Sequence, residues 1–147
     1  MLQEIIAFVS RVVPTYHAAS RLLYAPEYEK MIDSLSDVLK ITPDGEVLLL
    51  REDLPAEKSI TAVLLAARIS NKFEKRPSDE LFAEEIARSV GKALKTVRNT
   101  IAELQKQGLV ERAARGTYRI TAAGIMKMDQ ELHASQKGPE GGVAEKV

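Results

Sequence analysis

Cations and one amide recur between residues 92 and 106 at the spacing of a single helix face. A rotation of 100° per residue places three lysines, this amide and one alanine outward: Lys92, Lys95, Asn99, Ala102 and Lys106. Thr96 and Arg98 flank this stripe. Lysine and arginine attract phosphate, an asparagine amide can pair with an adenine edge, and alanine allows close approach to a groove floor. The pattern therefore predicts contact with a nucleic acid.

Three further arginines follow in a stretch that is typical of a β-hairpin. Arg112 and Arg119 lie on the two predicted strands, and Arg115 with Gly116 lies at the predicted tip. A hairpin tip that carries arginine can reach a minor groove or a phosphate. Tyr118 alternates with Arg119, so we expect it on the opposite side, in the core. An additional basic cluster, Lys72, Lys75 and Arg76, is typical either of a phosphate contact or of a solvated loop.

Residues that could support catalysis are few and scattered. His17 and His133 are far apart, and neither has a partner at the spacing of metal ligands. The chain has no cysteine, which excludes thiolate chemistry and cysteine-bound zinc. The neighbouring carboxylates Glu84 and Glu85 point to different sides of a helix, and no phosphate-binding glycine motif is present. We therefore expect no enzyme activity, no metal site and no cofactor.

The charge of the chain is divided unevenly, although its formal net charge is zero. Residues 1–57 carry 5 Lys and Arg against 10 Asp and Glu, whereas residues 58–121 carry 13 against 7. This asymmetry predicts an acidic half and a basic half with different partners, the basic half being suited to a polyanion. With 45% apolar and 29% charged residues, the 147-residue chain has a globular composition.

The periodicity of the basic half predicts the elements that hold its cations in place. A helix over residues 58–73 has a broad apolar face: Ile60, Val63, Leu64, Ala67 and Phe73. Pro77 marks a loop over residues 75–78, after which Ser78 suits the N-cap of a second helix. The expected buried positions of that helix, which ends near Gly91, are Phe82, Ile86 and Val90.

A third helix and a hairpin complete this half. The inward positions of the helix are Leu94, Val97, Ile101 and Leu104, and Gly108 suits its left-handed C-terminal cap. Strands are expected over residues 109–112 and 117–120. Thr121 can then cap a last helix that runs to about Ala134.

This order of elements resembles the winged helix-turn-helix superfamily over about residues 58–134. The resemblance depends on Ala87, which in that family packs between two helices, and on Gly91 at the turn between them. It also depends on the run Gly108-Leu109-Val110 and on residues 118–124. It implies that the third helix and the hairpin, or wing, contact duplex DNA. One departure is that Lys92 and Ala93 stand where the family places an apolar residue and then Ser or Thr, so the helix start is either shifted by a residue or frayed until a ligand binds.

The acidic half repeats the same order of elements. Helices are predicted over residues 1–13, over residues 15–24 and from Pro26 onward, and Pro43-Asp44-Gly45 predicts a hairpin turn. Residues 1–52 therefore form either a second, degenerate winged helix or a helical dimerisation extension. The acids of its third helix repel phosphate and favour a protein partner or self-association.

The predicted fold class is α+β: mostly α-helical, with small β-hairpin wings. The predicted architecture is a winged helix-turn-helix, and one interpretation of the sequence is that two such units lie in tandem. Residues 135–147, rich in glycine, are expected to be a disordered tail. The function predicted first is a dimeric, DNA-binding transcriptional regulator. The alternative is a non-catalytic adaptor in a transcription, replication or membrane-remodelling complex, with residues 1–52 as its docking unit. No run approaches the roughly 20 apolar residues of a membrane span, so we expect a cytoplasmic protein without membrane insertion.

Overall fold

The computed structural model describes the backbone of residues 24–146 and the side chains of residues 24–134. The chain is α+β, with five helices and two small antiparallel sheets in this part. The helices predicted within residues 1–23 lie outside the described residues, and His17 lies there too.

The acidic half begins with a short helix and a two-stranded hairpin. Helix α1 is Tyr28–Leu35, strand β1 is Leu39–Ile41 and strand β2 is Val47–Leu49. The strands pair in antiparallel register, Leu39 with Leu49 and Ile41 with Val47. The hairpin turn at Gly45 is therefore confirmed, and the helix predicted from Pro26 onward is present from Tyr28 to Leu35.

The basic half follows in the predicted order, with one extra strand. Its elements are α2 (Ala56–Lys72), β3 (Leu81–Phe82), α3 (Ala83–Val90), α4 (Leu94–Lys106), β4 (Val110–Arg112), β5 (Thr117–Ile120) and α5 (Ala122–Lys146). The second sheet has the order β3–β5–β4 and is antiparallel throughout. Among the described helices, none combines the length and apolarity needed to cross a bilayer.

Helix α2 is the centre of the molecule. Nine consecutive residues from Ser59 to Ala67 are buried, so the helix is enclosed on all sides rather than on one face. It packs against α3, α4, α5 and strands of both sheets. One hydrophobic cluster runs from Met31 and Val47 in the acidic half to Ile125 in α5, so the described parts of both halves share a core. Phe73 is an exception to the predicted face, because it follows the last turn of α2 and is exposed.

The predicted start of the second helix is wrong. Helix α3 begins at Ala83, and Ser78 does not cap it; the Ser78 hydroxyl instead accepts a hydrogen bond from the Glu80 N–H at 3.1 Å. Residues Leu81 and Phe82 form a strand, whose side chains point to opposite sides. Leu81 is therefore buried, whereas Phe82 is 49% exposed instead of being in the core.

The last helix begins as predicted and continues further. The Thr121 hydroxyl accepts a hydrogen bond from the Gly124 N–H at 3.1 Å, which confirms the cap. The helix reaches Lys146, beyond the predicted end near Ala134, so residues 135–146 are helical where the composition predicts a disordered tail. Glycine and proline are poor helix formers, which is why the composition of this segment predicts an earlier end.

Candidate nucleic-acid interface

The third helix of the basic half, α4, is held by its apolar side. Val97, Ile101 and Leu104 are buried, as the sequence predicts, and Leu94 packs partly against the same core. Gly91 adopts φ +69° between α3 and α4, a conformation that residues with a side chain rarely adopt. The Gly91 and Lys92 N–H groups both donate to the Ala87 carbonyl, so the turn between the two helices is closed by the backbone.

The outer face of α4 presents the side chains that the sequence singles out. Those that are exposed are Lys95, Thr96, Arg98, Asn99, Ala102 and Lys106, while Lys92, in the preceding turn, is half-exposed. The Thr96 carbonyl accepts a hydrogen bond from the Thr100 hydroxyl at 2.8 Å. The face is continuous over the 13 residues of the helix, which corresponds to a length of about 20 Å.

The start of α4 has no side-chain cap. Ala93 is the N-cap residue and Leu94 the first helical residue, so the helix begins directly after the departure from the family pattern. No side chain of the described residues accepts a hydrogen bond from the N–H groups of this first turn. An uncapped N-terminus carries a partial positive charge and free donors, which suit a phosphate oxygen.

The hairpin of β4 and β5 presents its arginines in three directions. Val110 pairs with Ile120, and both are buried, so their face of the sheet is the core face. Arg112 pairs with Tyr118 on this same face, at its outer end. Tyr118 packs partly against the core, as predicted.

The other two hairpin arginines lie elsewhere. Arg119 pairs with Glu111 on the opposite, outer face of the sheet. Arg115 is exposed in the turn, next to Gly116 with φ +79°. The hairpin thus does not bring its three arginines to one surface.

Three of the predicted contact residues are engaged in ion pairs. Arg98 Nη2 lies 3.3 Å from Glu84 Oε1, and Lys106 Nζ lies 3.3 Å from Glu103 Oε1. Arg119 Nε donates to Glu111 Oε1 at 2.6 Å, and this hydrogen bond raises the pKa of the Arg119 guanidinium. All three pairs are exposed, so each contributes at most about 1 kcal/mol and can exchange for a phosphate.

The other four cations among the predicted contact residues have no carboxylate partner in the described part of the chain. Within residues 24–134, Lys92, Lys95, Arg112 and Arg115 form no ion pair. Lys95 and Arg115 are both exposed, one on α4 and one at the hairpin tip. These four residues are the strongest candidates for contact with a polyanion.

Sequence reasoning missed the partners of the paired cations. The Glu111–Arg119 pair follows from hairpin register, and the Glu103–Lys106 pair follows from i,i+3 spacing on a helix. Both pairs are therefore predictable from the sequence. Glu84 belongs to another helix than Arg98, and no local pattern connects them.

No cluster of side chains suited to catalysis or to metal binding occurs among the residues that the structure describes. His133 lies 3.3 Å from Asp129 on the same helix, without a third ligand. No group of three or more histidines and carboxylates that could hold a metal ion occurs in this part of the chain.

The candidate interface is described from the geometry and charge of this chain. Comparison with protein-family models, curated proteins and solved structures finds no match.

Proposed function

We propose that the chain binds duplex DNA through the outer face of α4 and the tip of the β4–β5 hairpin. In this proposal, residues from α2 onward form a winged helix-turn-helix unit in which α4 is the recognition helix. The order helix, strand, helix, helix, hairpin and the sheet order β3–β5–β4 support this assignment. A recognition helix of this kind enters the major groove while its neighbours contact the backbone.

The observation that carries the proposal is the unpaired charge on two adjacent elements. Lys95 with Asn99 on α4 and Arg115 at the hairpin tip are exposed, and neither cation has a carboxylate partner in the described residues. Lysine and arginine supply the phosphate attraction, and Asn99 supplies a donor and an acceptor for a base edge. The contacts predicted from the sequence are Lys92, Lys95, Thr96, Arg98, Asn99, Lys106, Arg112, Arg115 and Arg119. Of these, Arg98, Lys106 and Arg119 must first leave a carboxylate. Arg112 and Arg119 lie on opposite faces of the hairpin, so one bound duplex does not contact both from the same side.

The proposal is tested by fluorescence anisotropy of a labelled random duplex of about 30 base pairs, long enough for non-specific binding. The wild type is compared with the variant Lys95→Glu/Arg115→Glu. The matched control is Lys30→Glu/Lys40→Glu, which changes the net charge equally on the acidic half. We expect the first variant to lose binding at low salt and the control to retain most of it.

Two outcomes would overturn the proposal. A wild type that does not bind the duplex at low salt lacks the electrostatic attraction that DNA-binding proteins share. Equal losses in both variants would mean that net charge, rather than the surface of α4 and the hairpin, determines binding.

A second candidate is a protein-docking adaptor, which the exposed apolar side chains of the acidic half favour. Leu48 on β2 is 46% exposed, and Leu50 directly after the strand is 52% exposed. Residues 1–52 would then dock a protein partner, or a second copy in a homodimer, and the first half would not touch DNA. Under this function, Leu48→Asp/Leu50→Asp abolishes partner or self-association, and the wild type has no salt-dependent affinity for duplex DNA.

A further inference from the structure

A groove with apolar walls opens between α1, β1 and α2. It has a volume of about 170 Å³, and its apolar lining comprises Ile32, Leu35, Leu39, Ile41, Ala66 and Ile69. Ser36 and Lys40 complete the wall. Ile32 and Ile41 at its rim are 39% and 38% exposed, although their neighbours Leu35 and Leu39 are buried. Apolar side chains at the rim of an open apolar groove favour a covering partner.

The chain itself supplies an apolar segment as the candidate occupant of this groove. Residues 1–13 carry apolar side chains at helical spacing: Leu2, Ile5, Ile6, Val9, Val12 and Val13. An amphipathic stripe of this kind needs an apolar surface to cover it. Glu4 and Arg11 are its only charged residues and cancel, so the segment has no preference for a polyanion.

The start of the described chain lies within reach of the groove. The Tyr24 hydroxyl donates to Asp129 Oδ2 at 3.1 Å, which fixes this point against α5. Helix α1, which leads from there to the groove wall at Ile32 and Leu35, has eight residues and a length of about 12 Å. Residues 14–23 can span up to roughly 33 Å when extended, so residues 1–13 can return along α1 to the groove.

We propose that the apolar side chains of residues 1–13 cover the groove between α1, β1 and α2 of the same chain. A short connection gives the segment a millimolar effective concentration at its own groove, which favours the same chain over a second copy. The proposal is independent of DNA binding, because no residue of α4 or of the β4–β5 hairpin lines the groove.

The absence of cysteine makes a direct test possible in the full-length chain. Spin labels are attached to Ala7→Cys, whose position on a helical wheel is opposite the apolar stripe, and to Ser36→Cys at the groove wall. We expect pulsed dipolar spectroscopy to give one narrow distance distribution that persists when labelled protein is mixed with excess unlabelled protein.

Two substitutions should release the segment. Ile41→Asp places a charge at the rim, and Ile5→Asp places one on the segment, where it leaves the described core intact. Both should broaden the distance distribution. Leu48→Asp is the matched control, because Leu48 pairs with Lys40 and lies on the other face of the hairpin from Ile41.

Three results would overturn the proposal. A broad distribution in the starting protein means that the segment does not occupy the groove. A dipolar signal that disappears on dilution with unlabelled protein assigns the groove to a second copy. A distribution that is unaffected by Ile5→Asp means that the apolar stripe does not hold the segment in place.

Discussion

Arg76 Nη1 donates a hydrogen bond to the Gly45 carbonyl at 2.8 Å, and this contact joins the two halves of the chain. The same guanidinium reaches the Ser78 and Glu80 carbonyls at 3.3 and 3.4 Å. Nearby, Arg88 Nε lies 3.8 Å from Glu46 Oε1. The hairpin of the acidic half is thereby fixed against the loop and the helix that precede α4.

Removing this guanidinium should loosen the hairpin. We expect Arg76→Ala to lower the free energy of unfolding by about 2 kcal/mol, because three carbonyl groups lose a charged donor. Arg76→Lys should recover only part of the loss, since an ammonium cannot reproduce the planar fork. Denaturant unfolding measures both. Lys75→Ala, at the exposed neighbour, is the control, and a loss as large as that of Arg76→Ala would refute the assignment.

Arg76 also shows a limit of sequence reasoning. The cluster Lys72, Lys75 and Arg76 suggested either a phosphate contact or a solvated loop, and both readings miss the bonds of Arg76 to distant backbone. The partner, Gly45, is 31 residues away, so no local pattern indicates it. By contrast, the apolar positions of α4 repeat at helical spacing within one element, which is why Val97, Ile101 and Leu104 were predicted correctly.

A second failure of prediction has a different cause. Ser78 followed by Asp79 and Glu80 has the composition of a helix start, but tertiary contacts override it. The Thr117 hydroxyl donates to Glu80 Oε1 at 2.8 Å, and Asp79 forms an ion pair with Arg68 of α2. These residues are therefore held against β5 and α2, and the chain forms strand β3 before α3 begins.

Gly124 is required by a close approach between α5 and the turn after α4. A Cβ at this position would overlap the Leu109 carbonyl oxygen and lie 2.7 Å from Ile120 Cγ1. We expect Gly124→Ala to destabilise the fold by about 3 kcal/mol, because the backbone must move to relieve the overlap. Thermal unfolding measures the loss against Ala123→Ser, which changes an exposed neighbour. Equal melting temperatures for Gly124→Ala and the wild type would disprove the close approach.

The Glu84–Arg98 ion pair should compete with DNA for Arg98. We expect Glu84→Gln to strengthen duplex binding by about threefold, because an exposed pair of this kind holds the guanidinium by less than 1 kcal/mol. Titration by anisotropy at constant salt measures the change. The matched control is Glu57→Gln in the first turn of α2, which removes the same charge elsewhere. An identical gain from the control would assign the effect to net charge.

Tyr24 should stabilise the contact between the start of the described chain and α5 in a pH-dependent way. Burial, followed by the charge and the hydrogen bond of Asp129, raises the pKa of the Tyr24 phenol above its ordinary value. We expect Tyr24→Phe to lose about 1 kcal/mol at neutral pH. Because the folded pKa is raised, this advantage of the wild type is complete below the unfolded pKa of about 10 and decreases as the pH rises above it.

The measurement is the difference in unfolding free energy between wild type and Tyr24→Phe across this range. The difference cancels the titration of lysines, which both proteins share. A difference in unfolding free energy that stays constant or increases above a pH of about 10 would contradict the role of the neutral phenol.

The most direct test of the proposed function is the salt dependence of duplex binding by wild type and Lys95→Ala. If α4 lies against the phosphates, the plot of log affinity against log salt is steep for the wild type. Its slope should be smaller by about 1 for Lys95→Ala, because one phosphate contact is lost. Lys40→Ala, which removes a lysine from the acidic half, should leave the slope unchanged. Identical slopes for the wild type and Lys95→Ala would place the DNA elsewhere and contradict the account.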